Sequence, residues 1–480
     1  MSTSHPTRSA PSPVVAVVAL CFGGLSAALT QTMVIPIQSE LPQLLATSGA
    51  DAGWVVTATL LAAAVSMPVA GRLADLYGKQ RVLVANAALL VVGSVVCAMT
   101  SSLLPMLAGR ALQGLAMGFI PVGISLMREF TPPHITSTAI AAMSATLGVG
   151  GAIGLPLSAW IADGHDWHAL FWVSAALALV VLVSTVLLVP HIDDAEPGRL
   201  DVVGGLGLAV GLVTFLVGVS KGTTWGWGSG RTCGAIVGGL VVLLAWGAYE
   251  LRQRDPLVDL RTTARPQILL TNVAAVAIGF GMMAQSIAVP QLLEMPSAVG
   301  YGLGQSILAA GLWMAPSGLM MMLFAPVSSR LIDRTGAKHT LMVGAAVLGL
   351  GYVVAVALMG APWQLLVASC IAAAGVGIGY AAMPTLILDS APVREAASAV
   401  GVNALMRSVG TTLASAVMAT ILTGSTTTLG GLELPTKGAF QVCFVAGAVA
   451  SFVGVAIAAT IPRRPRQEGV EPAPAAAEAV

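Results

Sequence analysis

Two arginines stand inside long apolar segments of this 480-residue chain. Arg110 lies in the apolar segment 104–127, and Arg407 lies in the segment 397–422. No Asp or Glu lies near the middle of any apolar segment, so neither guanidinium has an obvious counter-ion. Ionisable side chains placed within a membrane are costly and are functional candidates by default, and a guanidinium can bind a carboxylate or phosphate through two hydrogen bonds.

Two interpretations of these arginines stay open. In the first, Arg110 and Arg407 face a central cavity that favours anionic, zwitterionic or neutral substrates over lipophilic cations. In the second, each arginine holds helices together by donating to polar side chains and backbone carbonyls. Asn403 precedes Arg407 by one helical turn, so the two share a helix face. Gln285 and Trp313 are further cavity candidates, because polar and aromatic side chains suit an adaptable pocket.

The segments that must position these residues are long enough to cross a bilayer, which takes about 20 mostly apolar residues. Fourteen such segments are found, six before and six after a central pair. They span residues 14–36, 53–70, 82–99, 104–127, 139–161, 170–189, 202–219, 233–249, 268–289, 306–327, 341–359, 363–388, 397–422 and 439–461.

The composition fits a lipid solvent. Hydrophobic residues make up 56% of the chain and charged residues 9%, whereas a soluble domain is about a quarter charged. The net charge of +1 argues against a nucleic-acid partner. The five cysteines are scattered singly and the six histidines lack metal-ligand spacing, so no disulfide framework, metal site or cofactor is expected.

The distribution of Lys and Arg predicts the orientation, because cytoplasmic loops carry an excess of both. If the N-terminus is cytoplasmic, the inside segments hold seventeen of the 22 basic residues and the outside loops hold three. We therefore expect both termini in the cytoplasm.

An internal repeat divides the chain into halves. The segment 71–79 follows the second span, and a similar segment, 329–338, follows the tenth and contains Asp333 and Arg334. Repeated halves are how many secondary transporters are built, with the substrate site between them. The predicted units are a six-helix bundle (1–190), two linker helices (191–265), a second six-helix bundle (266–461) and a disordered tail (462–480).

The first of these loops resembles the signature of the major facilitator superfamily, carried here by Gly71, Arg72, Asp75, Gly78 and Lys79. The glycines permit a tight turn. Asp75 can lie near the positive N-terminal end of another helix or pair with an Arg. The basic residues are expected at the lipid headgroups. The resemblance implies that the loop locks the cytoplasmic side of the two halves in one conformation.

Another segment is similar to the fourteen-span drug:proton antiporter family of that superfamily. Gly150, Gly154 and Pro156 resemble its helix-five antiporter motif, a Gly- and Pro-rich helix that can bend. The chain departs from the pattern because Leu155 stands between Gly154 and Pro156 and no paired Gly follows.

Segments 107–114 and 403–410, which hold the two arginines, are also similar to this family, and the resemblance covers residues 14–461. It implies an all-α membrane protein with the major facilitator fold. About fourteen helices would form two six-helix bundles plus two inserted helices.

The family usually places an Asp near the outer part of helix one, and Gln31 occupies that place here. Gln does not titrate. Because Gln31 and Arg110 should lie at similar heights, we expect Arg110 to donate to the Gln31 side-chain oxygen and to backbone carbonyls. The remaining candidates for carrying a proton lie near the predicted cytoplasmic side: Asp75, Glu129, Asp333 and Asp389.

The resemblance implies a secondary transporter that exports drugs, antibiotics or toxic metabolites by alternating access in exchange for protons. A second hypothesis is an exporter or facilitator of an endogenous metabolite or lipid-like compound, which suits the missing helix-one acid. The sequence has no nucleotide loop, HExxH or common Ser/His/Asp arrangement, so an enzyme is not expected. We expect a monomer in the inner or plasma membrane, with a small-molecule substrate, protons and the lipid bilayer as partners.

Overall fold

The computed structural model describes residues 12–35, 37–38, 40–164, 166–192, 198–429 and 432–462. Within these residues fourteen helices are long and apolar enough to cross a membrane, which confirms the predicted all-α membrane fold. The predicted disordered tail lies outside the described residues, apart from Pro462. The helices are α1 (Pro13–Thr32), α2 (Trp54–Tyr77), α3 (Lys79–Ala98), α4 (Leu103–Phe130), α5 (Pro133–Gly164), α6 (His168–Leu188), α7 (Val202–Trp225), α8 (Gly230–Glu250), α9 (Pro266–Glu294), α10 (Ile307–Thr335), α11 (Ala337–Ala357), α12 (Pro362–Leu388), α13 (Val393–Gly424) and α14 (Lys437–Thr460).

Several of these helices begin where the sequence offers a capping side chain. Ser12, Asp201, Ser229 and Thr436 precede α1, α7, α8 and α14, and each accepts a hydrogen bond from a backbone N–H in the first turn. Such caps satisfy N–H groups that have no partner inside the helix. The polar residues between the apolar segments therefore fix where the spans start.

Three spans are interrupted, which their apolar composition did not predict. A 3₁₀ turn at Ala116–Gly118 divides α4, and α10 breaks at Phe324. The regular part of α12 ends at Gly379, and a second part begins at Ala382. Each break lies a few residues before a proline, at positions 121, 326 and 384. Proline has no N–H to donate to the preceding turn, so the helix is weakened there.

The spans pack as two bundles, α1–α6 and α9–α14. In the first bundle α1 packs on α5, α2 on α4 and α3 on α6. In the second, α9 packs on α13, α10 on α12, and α11 on both α12 and α14. The bundles meet along two seams, α2 against α13 and α5 against α10.

The inserted helices α7 and α8 pack mainly on each other, and α7 also contacts both α2 and α13. Leu212 and Leu216 of α7 form one apolar cluster with Leu61 of α2 and Leu405 of α13. Helix α7 of the inserted pair therefore lies on the seam between α2 and α13.

Two polar contacts attach the inserted pair to the bundles near the C-terminal end of α7. The Lys221 ammonium lies 4.9 Å from the ring centre of Trp54, which begins α2. The Trp227 indole donates to the Thr420 hydroxyl of α13 at 2.9 Å. The pair is thus joined to both bundles and not to one alone.

The two repeated loops have the same backbone turn. Gly78, between α2 and α3, has φ 94° and ψ 134°, and Gly336, between α10 and α11, has φ 86° and ψ 156°. Only glycine adopts such angles without strain. The face of the protein that carries these two loops is called the motif face below.

A short hairpin joins α13 to α14. Strands β1 (Thr426–Leu429) and β2 (Leu432–Pro435) pair antiparallel, with Thr426 opposite Pro435. The Tyr301 hydroxyl, from the loop after α9, donates to the Pro435 carbonyl. Three consecutive threonines favour an extended chain, although the hairpin lies outside the apolar segments and was not predicted.

The requirement for glycine in the repeated turn can be tested at Gly336. A Cβ at this position would meet open space, so Gly336→Ala acts through backbone strain alone and should cost about 1–3 kcal/mol. We expect a lower apparent midpoint of thermal unfolding for the detergent-purified protein, followed by circular dichroism. Gly311→Ala, in open space within α10, should leave the midpoint unchanged or raise it. Equal midpoints for the two variants would contradict this account of the turn.

Candidate functional site

The Asp75 carboxylate joins the two bundles at the motif face. Asp75 lies on the last turn of α2 and is 2% exposed. Its two oxygens accept from the backbone N–H groups of Ala397 and Ser398, at 3.1 and 2.9 Å, in the first turns of α13. The N-terminal end of a helix carries partial positive charge and unpaired N–H groups, so it binds an anion well. Of the two partners expected from the sequence, the helix terminus is the one that Asp75 contacts among the described residues.

Close packing of α2 on α13 makes this contact possible. Gly71 lies one turn before Asp75, and a Cβ at residue 71 would collide with the Ala397 carbonyl. Arg72 is partly buried on the same turn. The glycine that the motif places at position 71 therefore lets the two helix backbones approach.

Lys79 was expected at the lipid headgroups, and that prediction is wrong. Its side chain is 2% exposed, and its ammonium lies 2.8 Å from the Glu129 carboxylate at the end of α4. The turn at Gly78 ends α2 and starts α3 at Lys79, which directs this side chain toward α4. Lys79 therefore ties the first bundle together.

The second loop makes a weaker version of the Asp75 contact. Asp333 is exposed and accepts from the Ser137 hydroxyl of α5 at 2.7 Å, instead of from backbone N–H groups. The hydroxyls of Thr138 and Ser329 also meet, at 2.9 Å. Arg334 lies exposed at the end of α10. Each repeated loop thus contacts the fifth helix of the other bundle. The aspartate of the first loop is buried, whereas that of the second is exposed.

A surface ion pair adds to this closure. Arg128 of α4 lies 3.2 Å from Asp389, just after α12, and both side chains are more than a third exposed. Exposed pairs contribute about 0–1 kcal/mol. The buried Asp75 contact is therefore the main polar link between the bundles at this face.

Arg110 is fully buried and connects helices of the first bundle. Its guanidinium donates to the carbonyls of Val55 and Thr30, both at 3.2 Å, and to Gln113 Oε1 at 2.8 Å. Gln113 in turn donates to the Ser94 hydroxyl at 2.9 Å. One side chain thereby links α1, α2 and α4, and the Gln113 amide extends the network to α3.

The expected hydrogen bond from Arg110 to the Gln31 side chain is absent among the described residues, so that prediction is wrong. Gln31 is only partly buried. Successive residues on a helix point about 100° apart. Arg110 therefore reaches the carbonyl of Thr30 and its own neighbour Gln113, and it does not reach the side chain of Gln31. Gln113 could have been found from its spacing, three residues after Arg110 on the same helix face.

Arg407 makes a comparable network in the second bundle. Its Nε donates to the Tyr380 hydroxyl at 2.9 Å, and its Nη1 donates to Asn403 Oδ1 at 2.6 Å. The guanidinium also lies 4.5 Å from the Tyr380 ring centre. The Asn403 amide donates to Asn272 Oδ1 at 2.9 Å, so α9, α12 and α13 are linked. Sequence reasoning missed Tyr380, which lies at the interruption of α12.

The remaining cavity candidates make contacts within the second bundle. Gln285 is 9% exposed and donates to the Ser369 carbonyl at 3.3 Å. The Trp313 indole donates to Gln305 Oε1 at 3.2 Å, and its ring is partly buried. The structure therefore does not bring Gln285 or Trp313 into the Arg407 hydrogen-bond network described above.

The comparisons with known proteins agree with this architecture. The family model described as "Major Facilitator Superfamily" matches residues 20–293 and 271–479, which is nearly the whole chain. The chain belongs to the major facilitator superfamily.

Its relatives in this superfamily include proteins named for drug resistance or export. It is 31% identical over 66% of its length to an uncharacterized MFS-type transporter of Mycobacterium tuberculosis strain H37Rv, of which the alignment spans 46%. It is 26% identical to a multidrug resistance protein B homolog of the same strain, over 77% of this chain and 69% of the relative. It is 27% identical to the tetracenomycin C resistance and export protein of Streptomyces glaucescens, over 86% and 76%. The alignment thus spans about half of the first of these relatives.

The fold is also that of a solved superfamily member. The human organic anion transporter MFSD10 matches with a TM-score of 0.65 at 14% identity, over 93% of this chain and 100% of that one. At this identity the likeness concerns the fold alone.

In the present protein, the two glycines of the helix-five motif lie against α1. A Cβ at Gly150 would collide with Ala28, and one at Gly154 would collide with the Thr32 hydroxyl. That hydroxyl donates to the Gly150 carbonyl at 3.3 Å. Pro156 lies within α5, where it removes a backbone donor. The motif thus combines close contact between α1 and α5 with a weakened point in α5.

We expect Asp75→Asn to open the motif face. The change removes the charge and one acceptor from a buried contact, which is worth about 1.5–3 kcal/mol for a hydrogen bond to a charged group. The measurement is disulfide formation between Thr138→Cys and Ser329→Cys in a variant without the five native cysteines. Its yield should fall by roughly tenfold. Asp389→Asn weakens a surface ion pair and should leave the yield within about twofold. Equal yields for Asp75→Asn and the parent would contradict the importance of this contact.

We also expect Arg110→Lys to destabilise the first bundle. An ammonium cannot reach three acceptors on separate elements as the planar guanidinium does. Leaving buried carbonyls unpaired should cost about 2–4 kcal/mol and lower the apparent unfolding midpoint. Arg330→Lys, at an exposed position of α10, is the matched control and should not change the midpoint. An unchanged midpoint for Arg110→Lys would mean that this network contributes little to stability.

Proposed function

We propose that this protein exports small organic molecules by alternating access, in exchange for protons. The observation that carries the proposal is the buried Asp75 contact, which holds the two bundles together at one face of the membrane. It consists of one carboxylate and two backbone N–H groups. It can therefore be broken without disturbing the packing inside either bundle.

The strength of this contact suits a switch. Two hydrogen bonds to a charged group are worth a few kcal/mol, which is the free-energy range that separates two populated conformations. In the proposed cycle the motif face is closed in the present conformation. Release of Asp75 from α13 would let the bundles part at this face, while the weakened helix α5 bends at Pro156.

The names of the relatives support drugs and antibiotics as the substrate class, since they include a multidrug resistance protein homolog and an antibiotic export protein. The two buried guanidinium groups and the absence of acids near the middle of the spans favour neutral, zwitterionic or anionic molecules. Gln31 and Trp313, both partly buried, are proposed to contact substrate, and Arg407 is proposed to do so once the bundles move. Arg110, Asn403 and Gln285 are proposed to position these helices.

The Lys and Arg distribution supports an inner-membrane orientation with both termini in the cytoplasm, which puts the motif face on the cytoplasmic side. A single chain holds both bundles. The proposed site is therefore complete in a monomer.

The second candidate function is an exporter or facilitator of an endogenous metabolite or lipid-like compound. Gln31 favours it, because this side chain stands where the family has its helix-one acid and cannot carry a proton. Proton exchange in the first proposal therefore depends on other carboxylates.

The two candidates are separated by transport in liposomes that hold the purified protein. Internal pH is recorded while tetracenomycin C, the compound in one relative's name, is added to wild type and to Gln31→Asp. We expect wild type to move protons when substrate is added, with an initial rate above that of protein-free liposomes. Substrate movement without proton movement in wild type, with proton movement gained in Gln31→Asp, would reject antiport in favour of a facilitator.

A further inference from the structure

Two carboxylates meet at the motif-face end of the inserted helices. Asp201 caps the start of α7, and Glu250 is the last residue of α8 and is 2% exposed. Asp201 Oδ1 accepts from the Gly204 N–H at 2.8 Å and from the Tyr249 hydroxyl at 3.2 Å. Glu250 Oε2 accepts from the Leu257 N–H at 3.0 Å. Each carboxylate is thus held through one oxygen.

The other oxygen of each carboxylate is buried and has no hydrogen-bond partner among the described residues. These atoms are Asp201 Oδ2 and Glu250 Oε1. Both lie so near Gly204 that a Cβ at that residue would collide with each of them, so they share one small space. The Trp246 indole is close to Glu250, and its buried N–H likewise has no hydrogen-bond partner among the described residues.

Two carboxylates in one water-poor space disfavour having both ionised. If one carboxyl takes up a proton, its O–H can donate to the free oxygen of the other. A single proton therefore satisfies both unpartnered atoms at once. No side chain other than glycine at residue 204 would leave room for this arrangement.

A small cavity with charged side chains in its lining lies next to the pair at the motif face. Glu250 lines a cavity of about 60 Å³ with Arg254, Asp259 and Arg261 of the following segment. On the neighbouring elements, Tyr249 of α8 donates to Asp201, and Glu395 at the start of α13 lies near Asp259. The cavity is large enough for water, so protons can arrive from the motif face without crossing the apolar core.

We propose that Asp201 and Glu250 form a binding site for one proton, and that occupancy of this site controls the Asp75 contact. The proton comes from water at the motif face and binds one carboxylate oxygen. The resulting O–H donates to the other carboxylate, and no further bond is made or broken. Its place at the end of the inserted helices is separate from the cavity candidates named above.

The backbone of Leu257 connects the pair to Asp75. The Leu257 N–H donates to Glu250, and the Leu257 carbonyl accepts from the Ser398 hydroxyl at 3.4 Å. The Ser398 N–H is in turn one of the two donors to Asp75. Protonation makes Glu250 a weaker acceptor. It thereby loosens the segment that packs against the first turns of α13, and the motif face opens more readily.

Proton binding itself is independent of transport, whereas the controlling role rests on the proposed alternating access. Binding is measured on the reconstituted full-length protein without substrate, as the infrared C=O stretching band of protonated carboxyls during a pH titration. We expect a band equivalent to one carboxyl that is lost in both Glu250→Gln and Asp201→Asn. It should persist in Asp255→Asn, an exposed acid in the same segment.

Three results would overturn the binding site. The first is a band that is unchanged in both variants while size-exclusion elution shows that they are folded. The second is a band that is lost equally in Asp255→Asn. The third is displacement of the proton by Na⁺ at constant pH, since a cation would then be the ligand. These outcomes leave the transport proposal unaffected.

Control of the motif face is measured by the disulfide between Thr138→Cys and Ser329→Cys in liposomes at different pH. Because protonation of thiolates slows disulfide formation at low pH, the yield is expressed relative to that of Thr131→Cys and Thr136→Cys, a pair within the first bundle. We expect the yield to fall by roughly fivefold as pH is lowered, the effect of weakening one charge-assisted hydrogen bond. With Glu250→Gln the yield should be low at every pH, because glutamine resembles the protonated acid. With Asp255→Asn the pH dependence should match that of the parent. The same pH dependence in Glu250→Gln as in the parent would reject the controlling role, even if proton binding is found.

Discussion

Polar groups within the hydrocarbon core must find their partners inside the protein, because lipid offers none. Most features of this structure follow from how the chain meets that constraint. Arg110 donates to two backbone carbonyls and an amide, although its Nη2 has no partner among the described residues, and Arg407 donates to a tyrosine and an asparagine. In each bundle one guanidinium therefore fixes the relative positions of three helices. These networks, together with close contacts at glycines, tie the helices of each bundle to one another.

The same constraint has a different outcome between the bundles. There the buried polar group is Asp75, and its partners are two N–H groups that any helix start leaves free. These donors can be satisfied by water as readily as by the carboxylate once the face opens. The equivalent Asp333 is exposed and contacts only a hydroxyl. The pairing of helices is repeated in the two bundles, but the buried polar contact between them lies on one side only among the described residues.

The sequence predicted the fourteen spans, the two repeated turns and the possibility that Asp75 meets a helix terminus. Each of these depends on local pattern, since span length, glycine spacing and an acid in a helix-end motif are visible in a few consecutive residues. The partner of Arg110, the burial of Lys79 and the role of Tyr380 were not predicted. These depend on which side chains from distant helices reach the same depth and face, and a one-residue change of position on a helix turns a side chain by about 100°. The carboxyl pair of Asp201 and Glu250 was overlooked for the same reason, because each acid stands at the end of a different span.

The inserted helices also make the two sides of the molecule unequal toward the bilayer. Bulky apolar side chains of α7 fill the seam between α2 and α13, whereas the seam between α5 and α10 has no such cover among the described helices. A molecule dissolved in lipid would therefore meet the bundle interface directly only along α5 and α10. The two seams of the protein therefore differ in their exposure to lipid. Lateral entry of a hydrophobic compound from the leaflet would be confined to one side of its circumference.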